Sequence, residues 1–153
     1  MYKATVRWMI RRSISQANAG RSAPALRMFA EDATLTFPGE NSWSRQYRAP
    51  GRGRQASPTH RGRREIEGFL RRYVEHGIQM QVEDIIVNGP PWNLRVAAFV
   101  HDWVPGPGGD DVYANRAVLR VHARWGRITA QEDYEDTERV SAYDRSLAAA
   151  PSG

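Results

Sequence analysis

Apolar residues along the first segment recur at a helical interval. Val6, Met9, Ile10, Ser13, Ile14 and Ala17 fall at i, i+3, i+4, i+7, i+8 and i+11, one face of an α-helix. Ala19-Gly20 ends it. Ser22 stands at an N-cap position, and Pro24 lies in the first turn of a short second helix through Leu26, Phe29 and Ala30. Glu31-Asp32 break that pattern, and residues 33–37 read as a strand closed by Pro38-Gly39. Residues 40–60 hold Gly, Pro, Ser, Arg and two large aromatics, Trp43 and Tyr47, with no period. A loop this long in one domain is either functional or disordered. The third helix is the clearest element. Ile66, Phe69, Leu70, Tyr73 and Val74 form its apolar stripe, with Arg63, Arg64, Glu67, Arg71 and Arg72 on the other side. Gly77 is placed as the left-handed residue after its end.

Beyond Gly77 the period changes to two. Residues 78–88 form a strand stopped by Gly89-Pro90-Pro91, and residues 93–104 form a second, ended by the turn Pro105-Gly106-Pro107-Gly108-Gly109. Residues 111–124 form a third, with Tyr113, Asn115, Ala117, Leu119, Val121 and Ala123 on one face. Trp125-Gly126-Arg127 is a tight turn into a last strand over 128–136. Long strands joined by short turns make an antiparallel meander. The pattern predicts an α+β domain over residues 1–145: three helices from the first half packed on a curved, mostly antiparallel sheet, followed by a flexible tail over 146–153.

Composition narrows the picture. At 153 residues there is room for one domain with a real core, and 41% apolar with 25% charged residues is the balance of a globular chain. No apolar run approaches the roughly 20 residues of a membrane span. The N-terminus lacks an apolar signal segment, so the expected location is the cytoplasm. The chain has no cysteine, which removes disulfides and thiol chemistry. The net charge of +5 rests on 21 Arg and one Lys, and seven of the Arg lie between Arg45 and Arg64. That loop is a candidate anion-binding segment. Nucleic acid is not the expected partner, because no helix-turn-helix, zinc pattern or aromatic RNA motif accompanies the charge.

Several stretches resemble the NTF2-like superfamily, and within it the SnoaL-like branch. They are residues 29–37 (FAEDATLTF), the His60-Arg61-Gly62 opening of the third helix with Ile66, the Asn88–Asn93 connection followed by Arg95-Val96-Ala97, and the final hairpin from Trp125 to Thr137. Their order and spacing together span about residues 5 to 140. The resemblance implies a cone whose bent sheet and helices enclose an apolar pocket, with the outer sheet face commonly forming a homodimer. Apolar residues on both faces of the second long strand (Leu94, Val96, Ala98 and Val100 opposite Ala97, Phe99 and Trp103) fit that independently, since both faces need cover.

Fold does not give function in this superfamily, which hosts isomerases, polyketide cyclase-like enzymes, hydrolases, dehydratases and inert binders. Polar residues directed into the cone are the candidates. Thr129, Gln131, Asp133 and Glu135 share a face of the last strand, and the resemblance places an acidic catalytic residue at Asp133. An apolar cavity raises a carboxyl's pKa toward neutrality and suits it to proton transfer. Asp133 is therefore the first candidate acid/base and His101 the second, because imidazole titrates in the same range. Tyr113 and Asn115 are candidate donors to a developing oxyanion. Trp43, Trp92 and Trp103 are candidate walls against a flat ligand, with Arg95, Phe99 and Gln131 completing the expected substrate-binding set. Epoxide hydrolysis is disfavoured: the related Asp-Arg-Asp set would need an acid where Ala97 stands beside Arg95. The ketosteroid-isomerase pattern, a Tyr with two acids, is not clearly reproduced. His60, His76, His101 and His122 lie too far apart for metal-ligand spacing, and no nucleotide fingerprint occurs, so no metal or cofactor is expected. The leading expectation is a cofactor-independent isomerase, cyclase or dehydratase acting on a hydrophobic carbonyl compound. The alternative is a non-catalytic ligand-binding homodimer.

Overall fold

Helix gives way to sheet at Gly77, where the sequence period changes. The computed structural model describes residues 1–38 and 59–149. Helix α1 (Tyr2–Asn18) and the short α2 (Ala23–Leu26) precede β1 (Phe29–Thr36); β2 (Thr59–Arg61) leads into α3 (Gly62–Glu75). Strands β3 (Gln79–Asn88), β4 (Leu94–Pro105), β5 (Asp111–Arg124) and β6 (Arg127–Glu135) follow, then α4 (Thr137–Ala149). Among the described residues the sheet order is β2-β1-β6-β5-β4-β3, and of its pairs only β1–β6 is parallel. The α+β layout, with helices on a mostly antiparallel sheet, is the one the period change predicts.

Three local differences matter. The second helix stops at Leu26, because Phe29 is buried and already pairs with Ile128 of β6. A register shift between Phe29 and Thr34 accommodates the polar Glu31-Asp32 pair without ending the strand. The third difference is α4, absent from the sequence reading. It docks through Val140 and Tyr143 and continues to Ala149, past Ser146, where the flexible tail was expected to begin. Small residues and Glu, Arg and Asp around just two buried anchors give this helix no continuous apolar stripe to read.

Gly62 opens α3 with φ +77, a conformation that disfavours any Cβ, and this explains the glycine of the His60-Arg61-Gly62 motif. The Arg61 amide donates to the Glu65 carboxylate at 2.6 Å, which closes the first turn. Ile66, Phe69 and Gly68 turn inward against β1.

Helix α1 covers the exposed edge of β3 by an unusual route: its side chains bond to the strand's main chain. Tyr2 donates to the Gly89 carbonyl. Arg7 donates to the Ile85 carbonyl at 3.0 Å and Arg11 to the Val82 carbonyl at 3.2 Å. The Asn18 amide makes a two-way pair with Met80, donating to its carbonyl at 2.8 Å and accepting from its N–H at 3.0 Å. An Asn side chain thus stands in for a neighbouring strand and blunts an edge that would otherwise invite aggregation. Asn18→Ala is expected to cost about 1–3 kcal/mol in urea unfolding, since it leaves both Met80 main-chain groups unpaired by protein. A cost below a few tenths of a kcal/mol would mean that water replaces the amide without loss.

Candidate functional site

Strand parity decides what reaches the interior. On β4 the buried positions are Leu94, Val96, Ala98, Val100, Asp102 and Val104; on β5 they include Tyr113, Asn115, Val121 and Ala123. A register shift between His122 and Ala123 pairs Ala123 with Ile128 and His122 with Ala130. Thr129 is the extra residue: Ile128, not Thr129, joins Gln131 and Asp133 on the inner face, and the Thr129 hydroxyl turns to the His122 carbonyl.

Between this face and helices α1, α2 and α3 lies a cavity of about 180 Å³. Helix α1 contributes Val6, Met9, Ile10, Ser13, Ile14 and Ala17, the six residues of its sequence stripe. Helix α3 adds Phe69, Leu70 and Tyr73, and the sheet adds Leu94, Val96, Ala98, Leu119 and Val121. Polar side chains are few: Ser13, Asn18, Tyr73, Gln131 and Asp133. None of the described residues lining it is Arg, Lys or His.

Asp133 is buried at this wall, and the Gln131 amide donates to its Oδ1 at 2.8 Å. Burial raises its pKa from the ordinary carboxyl value to about 7; the Gln131 hydrogen bond works against that rise and the Asp102 charge adds to it. Asp102, absent from the sequence-based set, is raised to about 6, chiefly by burial, with its own backbone, His101 and Tyr113 pulling the other way. Its Oδ1 is buried without a hydrogen-bond partner among the described residues. The buried Tyr73 hydroxyl on α3 also lacks one. Burial, then Asp102, Asp133 and Tyr113, push the Tyr73 phenol well above its ordinary value. A phenol so placed stays protonated and remains a donor.

Tyr113 and Asn115 face inward as strand parity predicted, but they lie outside the cavity lining, at the end that α4 covers. Asn115 donates from Nδ2 to the Tyr113 hydroxyl at 3.0 Å and to the Asp136 carbonyl at 3.1 Å. The Tyr113 ring lies 4.8 Å from that of Tyr143. Burial, foremost, and Asp102 raise the Tyr113 pKa.

His101, Arg95, Phe99 and Trp103 do not line the cavity. They alternate with the buried residues of β4 and lie on the outer sheet face, where His101 and Trp103 have ring centroids 5.4 Å apart. Their assignment to the pocket is corrected by parity: the inner position next to His101 is Asp102. Trp92 is 53% exposed and packs on Trp125 at 5.7 Å at the strand connection, away from the cavity. Trp43 and the Arg45–Arg54 part of the basic loop lie outside the described residues. The missed residues had a signal. Asp102 continues the alternation Leu94, Val96, Ala98, Val100, and Tyr73 stands in the apolar stripe of α3. No cluster of three or more His, Asp or Glu side chains suited to a metal ion occurs among the described residues, and no helix among them is long and apolar enough to cross a membrane.

No model of a known protein family matches this sequence, and no curated protein does. Solved structures do. Bal32a, from a soil-derived mobile gene cassette, is 17% identical over 91% of this chain and 95% of its own, with a TM-score of 0.64. A candidate isomerase from Rhodopseudomonas palustris is 14% identical over 92% of this chain and 95% of its own, with a TM-score of 0.62. An NTF2-like protein from Burkholderia xenovorans is 17% identical over 90% and 93%, with a TM-score of 0.56. At such identities the likeness speaks for architecture alone, and on that architecture the chain has the NTF2-like fold.

Proposed function

We propose that this chain is a SnoaL-like enzyme that moves protons on a hydrophobic carbonyl compound without a cofactor, in an isomerisation, cyclisation or dehydration. One observation carries the reading: a buried carboxyl, Asp133, forms part of the wall of a mostly apolar cavity, with its pKa raised to about 7 by that burial. Such a group takes and returns a proton at neutral pH with little driving-force penalty. Gln131 holds the carboxyl in one orientation. Tyr73 supplies the donor to the oxygen that gains charge as the α-proton leaves. Asp102 beside them makes a set of tyrosines with two acids, the composition that sequence alone did not bring together. Arg95 and Ala97 lie away from the cavity, so no Asp-Arg-Asp set for activating water forms there. The structural likeness to a candidate isomerase is in keeping with this reading.

The direct test is solvent exchange. Wild-type protein with a hydrophobic ketone in deuterated buffer is expected to incorporate deuterium at the α-carbon, followed by mass spectrometry. Binding of the ketone without exchange would leave the second reading, a non-catalytic carrier, which the nearly complete apolar lining favours. The proposed partner is a second copy. Exposed Ile86 with Ala97 and Val118 forms an apolar strip on the outer face, flanked by the Arg120–Glu132 and Arg116–Glu83 ion pairs. Charges of both signs around one apolar strip suit a self-complementary, two-fold contact.

A further inference from the structure

We infer that the cavity selects a neutral, singly oxygenated compound with one ring or a short branched chain, about ten non-hydrogen atoms in all, and rejects organic acids. The inference rests on the proposed function in taking the Asp133–Tyr73 end as the place of the ligand's oxygen.

Size comes from the volume. A dry apolar cavity of roughly 150 Å³ accommodates benzene, so about 180 Å³ has room for one ring and a short substituent. A four-ring skeleton exceeds that volume. Charge comes from the lining. Twenty-one arginines occur in the chain, yet no Arg, Lys or His among the described residues faces the cavity. The groups at its polar end are Asp133, which feels the charge of Asp102, and the phenol of Tyr73. A ligand carboxylate would meet the like charge of Asp133, reinforced by Asp102, and no counter-ion among the described residues, in a medium where such repulsion is poorly screened. Oxygen count comes from the donors. The buried Tyr73 hydroxyl lacks an acceptor among the described residues, and one carbonyl oxygen supplies it. Of the other polar lining residues, Gln131 is engaged with Asp133 and Asn18 with Met80. Apart from Ser13 the rest of the wall is apolar, so a further ligand oxygen placed away from Ser13 would be buried without a partner.

The test is a titration calorimetry series at pH 8 on the full chain. The probes are 4-propylcyclohexanone, propylcyclohexane, 4-propylcyclohexanecarboxylate and a four-ring steroid ketone. The ketone is expected to bind at least about tenfold more tightly than the hydrocarbon and about a hundredfold more tightly than the carboxylate. No heat is expected from the steroid. Tyr73→Phe is expected to bring ketone affinity within about threefold of the hydrocarbon, and Asp133→Asn to raise carboxylate affinity at least about tenfold. The inference is overturned if the carboxylate or the steroid binds as tightly as the ketone, or if the ketone shows no binding. Because these are binding measurements, they stand apart from deuterium exchange. Selective binding without exchange sinks the proton-transfer reading and leaves the selectivity, while exchange with unselective binding does the reverse.

Discussion

Asp133→Asn is expected to stop α-proton exchange while making the protein more stable at pH 8. Removing a positioned general base typically costs about 10²- to 10⁴-fold in rate, and an amide in its place has no proton affinity to substitute. The stability gain follows from linkage. Asp133 is raised from 3.8 to about 7 in the folded protein, so folding favours its protonated form. Its contribution is fully present below pH 3.8 and is lost as pH rises through about 7. The ceiling on that loss is about 4 kcal/mol, at about 1.4 kcal/mol per pH unit. Asp102, raised to about 6, adds a loss over a narrower window ending near pH 6. The wild-type protein is therefore expected to melt at a higher temperature at pH 5 than at pH 8. An asparagine accepts the same Gln131 hydrogen bond and never ionises. The variant should gain several degrees at pH 8, given about 2–4 °C per kcal/mol for a domain of this size, and should show a flatter pH profile. A variant less stable than wild type at pH 8 would mean that the buried carboxyl is compensated by contacts not recognised above.

Ile66→Ala is expected to cost about 2–5 kcal/mol, enough to unfold a large share of molecules at 37 °C. Ile66 is wholly buried where α3 packs on β1. Its side chain sits in the contact between helix layer and sheet, where neither a rigid helix nor a paired strand relaxes easily into a void. Urea unfolding at pH 6 would read the loss directly. Ile66→Val should cost only about 1 kcal/mol, and equal losses for both variants would point to backbone disruption rather than a cavity.

The architecture was legible because its elements obey single periods. The α1 stripe, read at helical spacing, reappears residue for residue as one wall of the cavity. The strand β5 coincides with its predicted bounds, since Gly109 before it and Trp125-Gly126 after it punctuate a clean alternation. Site reading went astray where one step of parity had to be chosen. The outer residues Arg95, His101 and Trp103 carry conspicuous chemistry; the residues that alternate with them, apolar except for Asp102, mark the interior. The shift at Thr129 is invisible to alternation, since a bulge adds a residue without a signature of its own. α4 stayed hidden because its burial depends on the end of β5, a tertiary fact.

The main-chain anchoring of α1 on β3 separates two kinds of inheritance in this molecule. Carbonyl and amide groups are the same whatever side chain a strand carries, so β3 exchanges its outward residues without disturbing where the helix sits. Arg7, Arg11 and Asn18 keep the helix in place while its inward residues, Val6, Met9, Ile10 and Ile14, are free to change the shape of the chamber. Docking and selectivity thus fall largely to different residues of one helix, with Asn18 serving both, and a new ligand preference is reachable by substitutions within residues 6–17 alone.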